Sequence, residues 1–239
     1  MKDDSLEAEP KLVRTTLSSQ LYTILERKVT SGELAPGTRV SEESIAETFQ
    51  VSRSPAREAL FDLERSGFAV RVGPRERMIT IPTRETIAEK YELWWIVDIG
   101  RTYLASQQAT PEDIVELRRY LDRMARAVNA RDPKRYRAAC DKWHGKLRRG
   151  CPNEFVNQAA TDCDVFLKWL EVLYDRAPDI SEQSIIEHTA ILDAYERRDL
   201  SALAEAIHPH MTRHCEQILA IFDAARLASD SDDSSPAAG

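Results

Sequence analysis

Val51-Ser52-Arg53-Ser54-Pro55-Ala56-Arg57-Glu58-Ala59-Leu60 reads as the first turns of a helix that carries a basic face. Arg53 and Arg57 are four residues apart, which puts both guanidiniums on one side of a helix, where a planar fork can bridge phosphates or the O6 and N7 of a guanine. Ser52 suits the N-cap, and Pro55 falls in the first turn, where the N–H it lacks has no intrahelical partner. Leu60 and Leu63 continue an apolar stripe on the opposite side.

Working outward, Ser41 caps a short helix over Glu42 to Phe49, with Ile45, Ala46 and Phe49 on its apolar side. A break at Gln50-Val51 leads into the longer helix, which Gly67 ends at C′. Phe68 to Val72 and Arg77 to Ile81 are β-prone runs around Gly73-Pro74-Arg75-Glu76, and Pro82 closes the unit. A winged helix-turn-helix over residues 11–82 follows. Net charge agrees once the chain is divided. The whole carries −7, but residues 11–83 hold eleven Lys/Arg against nine Asp/Glu, residues 84–239 hold 21 against 27, and the first ten add −3. Arg53, Arg57, Arg71, Arg75 and Arg77 gather positive charge where a duplex would lie. A merely solvated charge cluster is the plain alternative.

From Thr83 the pattern becomes almost wholly helical. Thr83 or Thr86 starts a helix running through Tyr91, Trp94 and Leu104. Thr110-Pro111-Glu112-Asp113 and Asp132-Pro133 are N-cap and N1-proline signals for two more, reaching about Ala130 and Arg149. Further helices are expected over residues 153–176, 181–198 and 201–227, which makes an all-α bundle of about six helices over 83–227. The fold class is therefore mainly α, a small β wing excepted. Residues 1–10 and 228–239 are expected to be disordered tails. No run of about eighteen apolar residues spans a membrane, and Met1-Lys2-Asp3-Asp4 does not begin an export signal. Cys140, Cys151, Cys163 and Cys215 form no C-x-x-C pair and fit reduced thiols, so a cytoplasmic protein is expected.

Ser31-Gly32-Glu33-Leu34-Ala35-Pro36-Gly37-Thr38-Arg39-Val40, followed by Glu43, Ala46 and the Val51 to Leu60 run, resembles the N-terminal domain of the GntR superfamily of bacterial transcription regulators. The resemblance puts Ser52, Arg53, Ser54 and Arg57 at DNA-contacting positions. The wing departs from the family pattern: Glu76 and then Arg77 stand where a glycine usually follows the wing tip.

Tyr91-Glu92-Leu93, Trp143-His144, Glu187-His188-Thr189-Ala190-Ile191-Leu192-Asp193-Ala194 and His210 resemble the FCD effector domain of the FadR subfamily. In many members of that family an Asp and three His hold a divalent metal near the ligand. His144, His188 and His210 occupy three of those positions, and Cys140 stands where the Asp would be. Two readings follow: a zinc site of Cys140, His144, His188 and His210, or a metal-free pocket in which the histidines bond to one another, to water or to the effector. Trp94 replaces an arginine that many relatives use to clamp a ligand carboxylate. The effector pocket expected from Trp94, Arg101, His144, His188 and His210 therefore takes a more apolar or aromatic metabolite, or an organic acid held by the metal or by Arg101.

The implied protein is a ligand-responsive regulator, a repressor by resemblance, that binds a pseudo-palindromic operator as a homodimer. Two alternatives differ in class: a constitutive DNA-binding protein whose bundle only dimerises, and a metal-dependent hydrolase with Glu187 as its one candidate base.

Overall fold

The computed structural model describes residues 16–174 and 181–232. Its contacts divide the chain into two compact units, Met1–Ile81 and Pro82–Gly239.

The first unit starts with α1 (Leu17–Thr30), capped by the Thr16 hydroxyl. Leu21, Leu25 and Val29, spaced by four, form its buried stripe and pack with α3 (Arg53–Arg65). Between them lie β1 (Arg39–Ser41) and α2 (Glu42–Phe49). The Ser41 and Ser44 hydroxyls cap α2 reciprocally, so two of its orphan N–H groups are satisfied. Gln50 turns the chain with φ 53°, and Gly67, at φ 88°, allows the left-handed exit after α3.

β2 (Ala69–Gly73) and β3 (Glu76–Ile79) make the wing hairpin. β1 adds to the far side of β3, giving an antiparallel order β1-β3-β2. The sequence indicated the hairpin but not the third strand. A three-residue strand with one buried side chain, Val40, is too short to show a period.

The second unit comprises α4 (Arg84–Ser106), α5 (Pro111–Asn129), α6 (Pro133–Arg148), α7 (Glu154–Leu173), α8 (Glu182–Arg197) and α9 (Leu200–Asp232). The caps fall where the residue types require them. Thr83, Thr110, Asp132, Asn153 and Ser181 each accept a backbone N–H from the first turn that follows. α4 packs on α7 and α9, α5 packs on α6 and α8, and α8 lies against α9. Leu117, Met124, Trp143, Leu192 and Leu203 are fully buried in the core they share.

α9 continues to Asp232, so residues 228–232 of the expected tail are helical; the remainder, 233–239, lies outside the described residues. Ala228 to Asp232 contain neither Gly nor Pro, so nothing in them interrupts an established helix. The tail expected at residues 1–10 lies outside the described residues. Pro209 sits inside α9 and has no N–H for the preceding turn.

Candidate functional site

In the first unit the helix-turn-helix presents one face of α3. Ala56, Ala59, Leu60 and Leu63 are fully buried, and this fixes the rotation of the helix. Ser52, Arg53, Ser54 and Arg57 are consequently exposed together. Arg53 reaches back to Glu43 of α2, Nη2 to Oε1 at 2.6 Å, and Ser54 donates to Glu58 at 3.2 Å. Ser52 occupies the N-cap, although its hydroxyl makes no capping bond. Arg75 is exposed at the wing turn, where its carbonyl accepts the Glu42 N–H at 3.0 Å.

Arg77 is a correction. It was expected among the DNA contacts, but it is 2% exposed, with Nε 2.7 Å from Glu64 Oε2. Strand alternation explains the placement, because Arg77 and Ile79 point inward from β3 while Glu76 and Met78 do not. Arg71 remains exposed and reaches the same carboxylate at 3.5 Å.

In the second unit, α4, α6, α7, α8 and α9 line a half-open cavity of about 300 Å³. Cys140 and His144, four apart on α6, face His188 of α8. Among the described residues, the donor atoms of these three all lie within 4.8 Å of one another. The Nδ1–H of His188 donates to the Ser184 carbonyl at 2.6 Å. That bond fixes the tautomer and leaves Nε2 as a lone pair, 3.3 Å from His144 Nε2 and 3.8 Å from Cys140 Sγ.

Burial, with the Arg148 guanidinium beside it, holds His144 well below the ordinary imidazole pKa. Burial and the neighbouring His210 bring His188 down to about 3. Both rings are therefore neutral, the form that ligates metal. Burial, reinforced by Asp141, pushes the Cys140 thiol up to about 12, so a metal would have to displace its proton. His144 Nδ1 is buried and has no hydrogen-bond partner. Two neutral imidazoles and a thiol at this spacing fit a zinc ion.

His210 stands beside the set without joining it. Its ring centroid lies 4.7 Å from that of His188, and its Nδ1–H donates to Glu187 at 2.9 Å. Glu187 is itself held by Arg213 through two bonds of 2.8 and 2.6 Å. A carboxylate clamped in this way orients a histidine and is poorly suited to serve as a general base.

Trp94 lines the cavity, but Arg101 does not. Arg101 Nη1 lies 2.8 Å from Asp164, and the Trp94 indole N–H donates to the other oxygen of that carboxylate at 2.9 Å. Trp95, on another face of α4, meets His208 edge-on at 5.0 Å. The cations on the wall also face carboxylates: Arg148 meets Asp98 at 2.6 Å and Arg137 meets Glu171 at 3.1 Å. Sequence reading missed Asp98, Asp164, Glu171 and Arg213. Each acts through a partner on another helix, and no local spacing records such a pairing.

The comparisons agree with this architecture. Residues 17–75 match the family model described as bacterial regulatory proteins, gntR family, and residues 98–214 match the FCD domain. The HTH-type transcriptional regulator YdhC of Bacillus subtilis (strain 168) is 22% identical over 205 residues, covering 85% of this chain and 92% of that protein. The HTH-type transcriptional repressor RspR of Escherichia coli (strain K12) is 24% identical over 215 residues, covering 84% and 87%. Among solved structures, E. coli McbR/YncC superposes with a TM-score of 0.63 at 18% identity, over 87% of this chain and all of that one. A GntR regulator from Rhodococcus sp. RHA1 gives 0.60 at 20% identity, over 86% and 99%. These matches are to transcription regulators and not to enzymes. The chain belongs to the GntR family of bacterial regulatory proteins, a DNA-binding transcription regulator whose helix-turn-helix is followed by an FCD effector-binding domain.

Proposed function

We propose that this regulator is a repressor that binds a pseudo-palindromic operator as a homodimer and is released when a small metabolite enters the cavity of the FCD domain. Ser52, Arg53, Ser54 and Arg57, with Arg75 at the wing, contact the operator. The symmetry of the site mirrors that of the protein, with one recognition helix in each of two successive major grooves. A relative named as a repressor, RspR, supports the direction of control.

The observation that carries the sensing half is the donor set Cys140, His144 and His188 on the wall of a half-open cavity. A divalent ion held there, zinc by the softness of the thiol, would supply positive charge and a coordination position for an oxygen or nitrogen of the effector. The cations around it already face carboxylates, so an acidic effector is anchored at the metal site while Trp94 offers apolar surface. His210, oriented by Glu187, presents its remaining nitrogen as an acceptor. Coupling between the two units of about 1–3 kcal/mol, 5- to 150-fold in operator affinity, is sufficient for such a switch.

Elemental analysis of the purified protein, beside Cys140→Ser and His188→Ala, tests the metal reading. Zinc is expected in the wild type and reduced in both variants. A wild-type protein without metal after growth in zinc-supplemented medium would overturn it.

A further inference from the structure

Residues 118–149, the C-terminal half of α5 together with α6, hold twelve Lys/Arg and three Asp/Glu, whereas the rest of 84–239 holds nine against 24. Nine of the twelve cations are exposed. They are ordered by the helices. Arg119, Arg123 and Arg126 fall within about 60° of one another around α5, opposite the buried Leu117, Leu121 and Met124. Arg135 and Lys142, two turns apart, form the matching row on α6. Arg123, Arg126, Arg135 and Lys142 line an open groove of about 320 Å³ between the two helices, floored by alanines such as Ala127 and Ala139 and lined by no acidic side chain. Arg135 pairs within its own helix start, with Asp132 at 3.3 Å.

We infer that this face is a second nucleic-acid contact surface, one that grips the phosphates of duplex DNA without reading sequence. Two rows of arginine-rich donors suit a polyanion, because guanidinium forks pair with phosphate oxygens and need no deep pocket. The groove contains no aromatic side chain to anchor a protein partner, and its lining of cations over alanines lacks the apolar centre of a protein interface. Arg118, Arg137, Lys146 and Arg148 already face carboxylates on other helices, so the counter-charge this face would take up lies along the exposed rows that line the groove. The inference is separate from the reading of α3: it predicts added affinity common to all sequences, with no effect on preference among them.

The test is fluorescence anisotropy of the full chain with a 30-base-pair duplex of random sequence across a salt series. Wild type is compared with Arg123→Gln/Arg126→Gln and, on the facing helix, Arg135→Gln/Lys142→Gln. All four side chains are exposed, and matching thermal melts establish that the variants are folded. Each pair should lower the slope of log K against log salt by nearly two, since every phosphate no longer neutralised removes about 0.9. The same reduction should appear in an Arg57→Ala background, which separates this face from the recognition helix. Unchanged slopes in both variants would overturn the inference. Displacement of the duplex by poly-L-glutamate at equal charge would also overturn it, by reassigning the face to an acidic protein partner.

Discussion

Arg57 and Arg77 show how position, more than residue type, decides what a cation does. Arg57 is exposed on a helix whose other side is fully buried. Arg57→Ala is expected to weaken operator binding by about 1–3 kcal/mol and to relax the preference at one base pair. Competition anisotropy with single-base variants of the operator measures this, and an equal loss on every sequence would make Arg57 a phosphate contact. Arg77 is buried on Glu64. Arg77→Ala is therefore expected to lower the stability of the first unit by about 1–3 kcal/mol, because Glu64 loses its shorter ion pair and keeps only the exposed Arg71 at 3.5 Å. The salt dependence of DNA binding should stay as in the wild type, and denaturant melts beside salt titrations separate the two effects. His188 adds a pH term. The folded ring takes its proton only near about 3, against an ordinary value of 6.5. Between those values the unfolded chain binds more protons, so stability is full above pH 6.5 and falls as the pH drops. For metal-free protein the loss at pH 5 is about 2 kcal/mol from this group. Thermal melts at pH 7 and pH 5 should show a smaller difference in His188→Asn than in the wild type, and equal differences would refute the assignment.

At the level of elements, the sequence was informative wherever a feature is local. The serine cap and left-handed Gln50 around α2, the proline-led starts of α5 and α6, and the glycine after α3 each follow from residues within one turn. Asp132→Ala is expected to cost about 1 kcal/mol because the first turn of α6 loses its side-chain cap, Asp132 accepting the Arg135 N–H at 2.9 Å. Because α6 carries Cys140 and His144, the loss should also appear as weaker zinc retention against a chelator. A variant that melts lower but holds zinc as tightly would show that the cap does not position the site. What the sequence left unread depends on distance along the chain. Arg77 would have been legible from the alternation Glu76, Arg77, Met78, Ile79, but charge alone directed it outward. The pairing of Asp98 with Arg148, of Asp164 with Trp94 and Arg101, and of Glu187 with His210 and Arg213 joins helices far apart in sequence. The cavity's histidines were indicated by resemblance, but the carboxylates that neutralise its cations were not. α1 could have been seen in the fourfold spacing of Leu17, Leu21, Leu25 and Val29.

For the molecule as a whole, the division of labour follows from charge. Residues 11–83, with eleven cations against nine acids, have little electrostatic affinity to hold DNA alone, and the proposed homodimer would supply the second reading head that tight binding needs. Residues 1–81 alone are expected to lose most of the operator affinity of the full chain, whereas undiminished binding by that fragment would remove the case for a dimer. The most direct test is selection from a randomised duplex pool by the full-length protein, followed by sequencing of the retained molecules. An inverted repeat with half-sites about one helical turn apart is expected, enriched by the wild type and not by Arg53→Ala/Arg57→Ala. A single unpaired half-site, or a retained pool no different from the input, would contradict it.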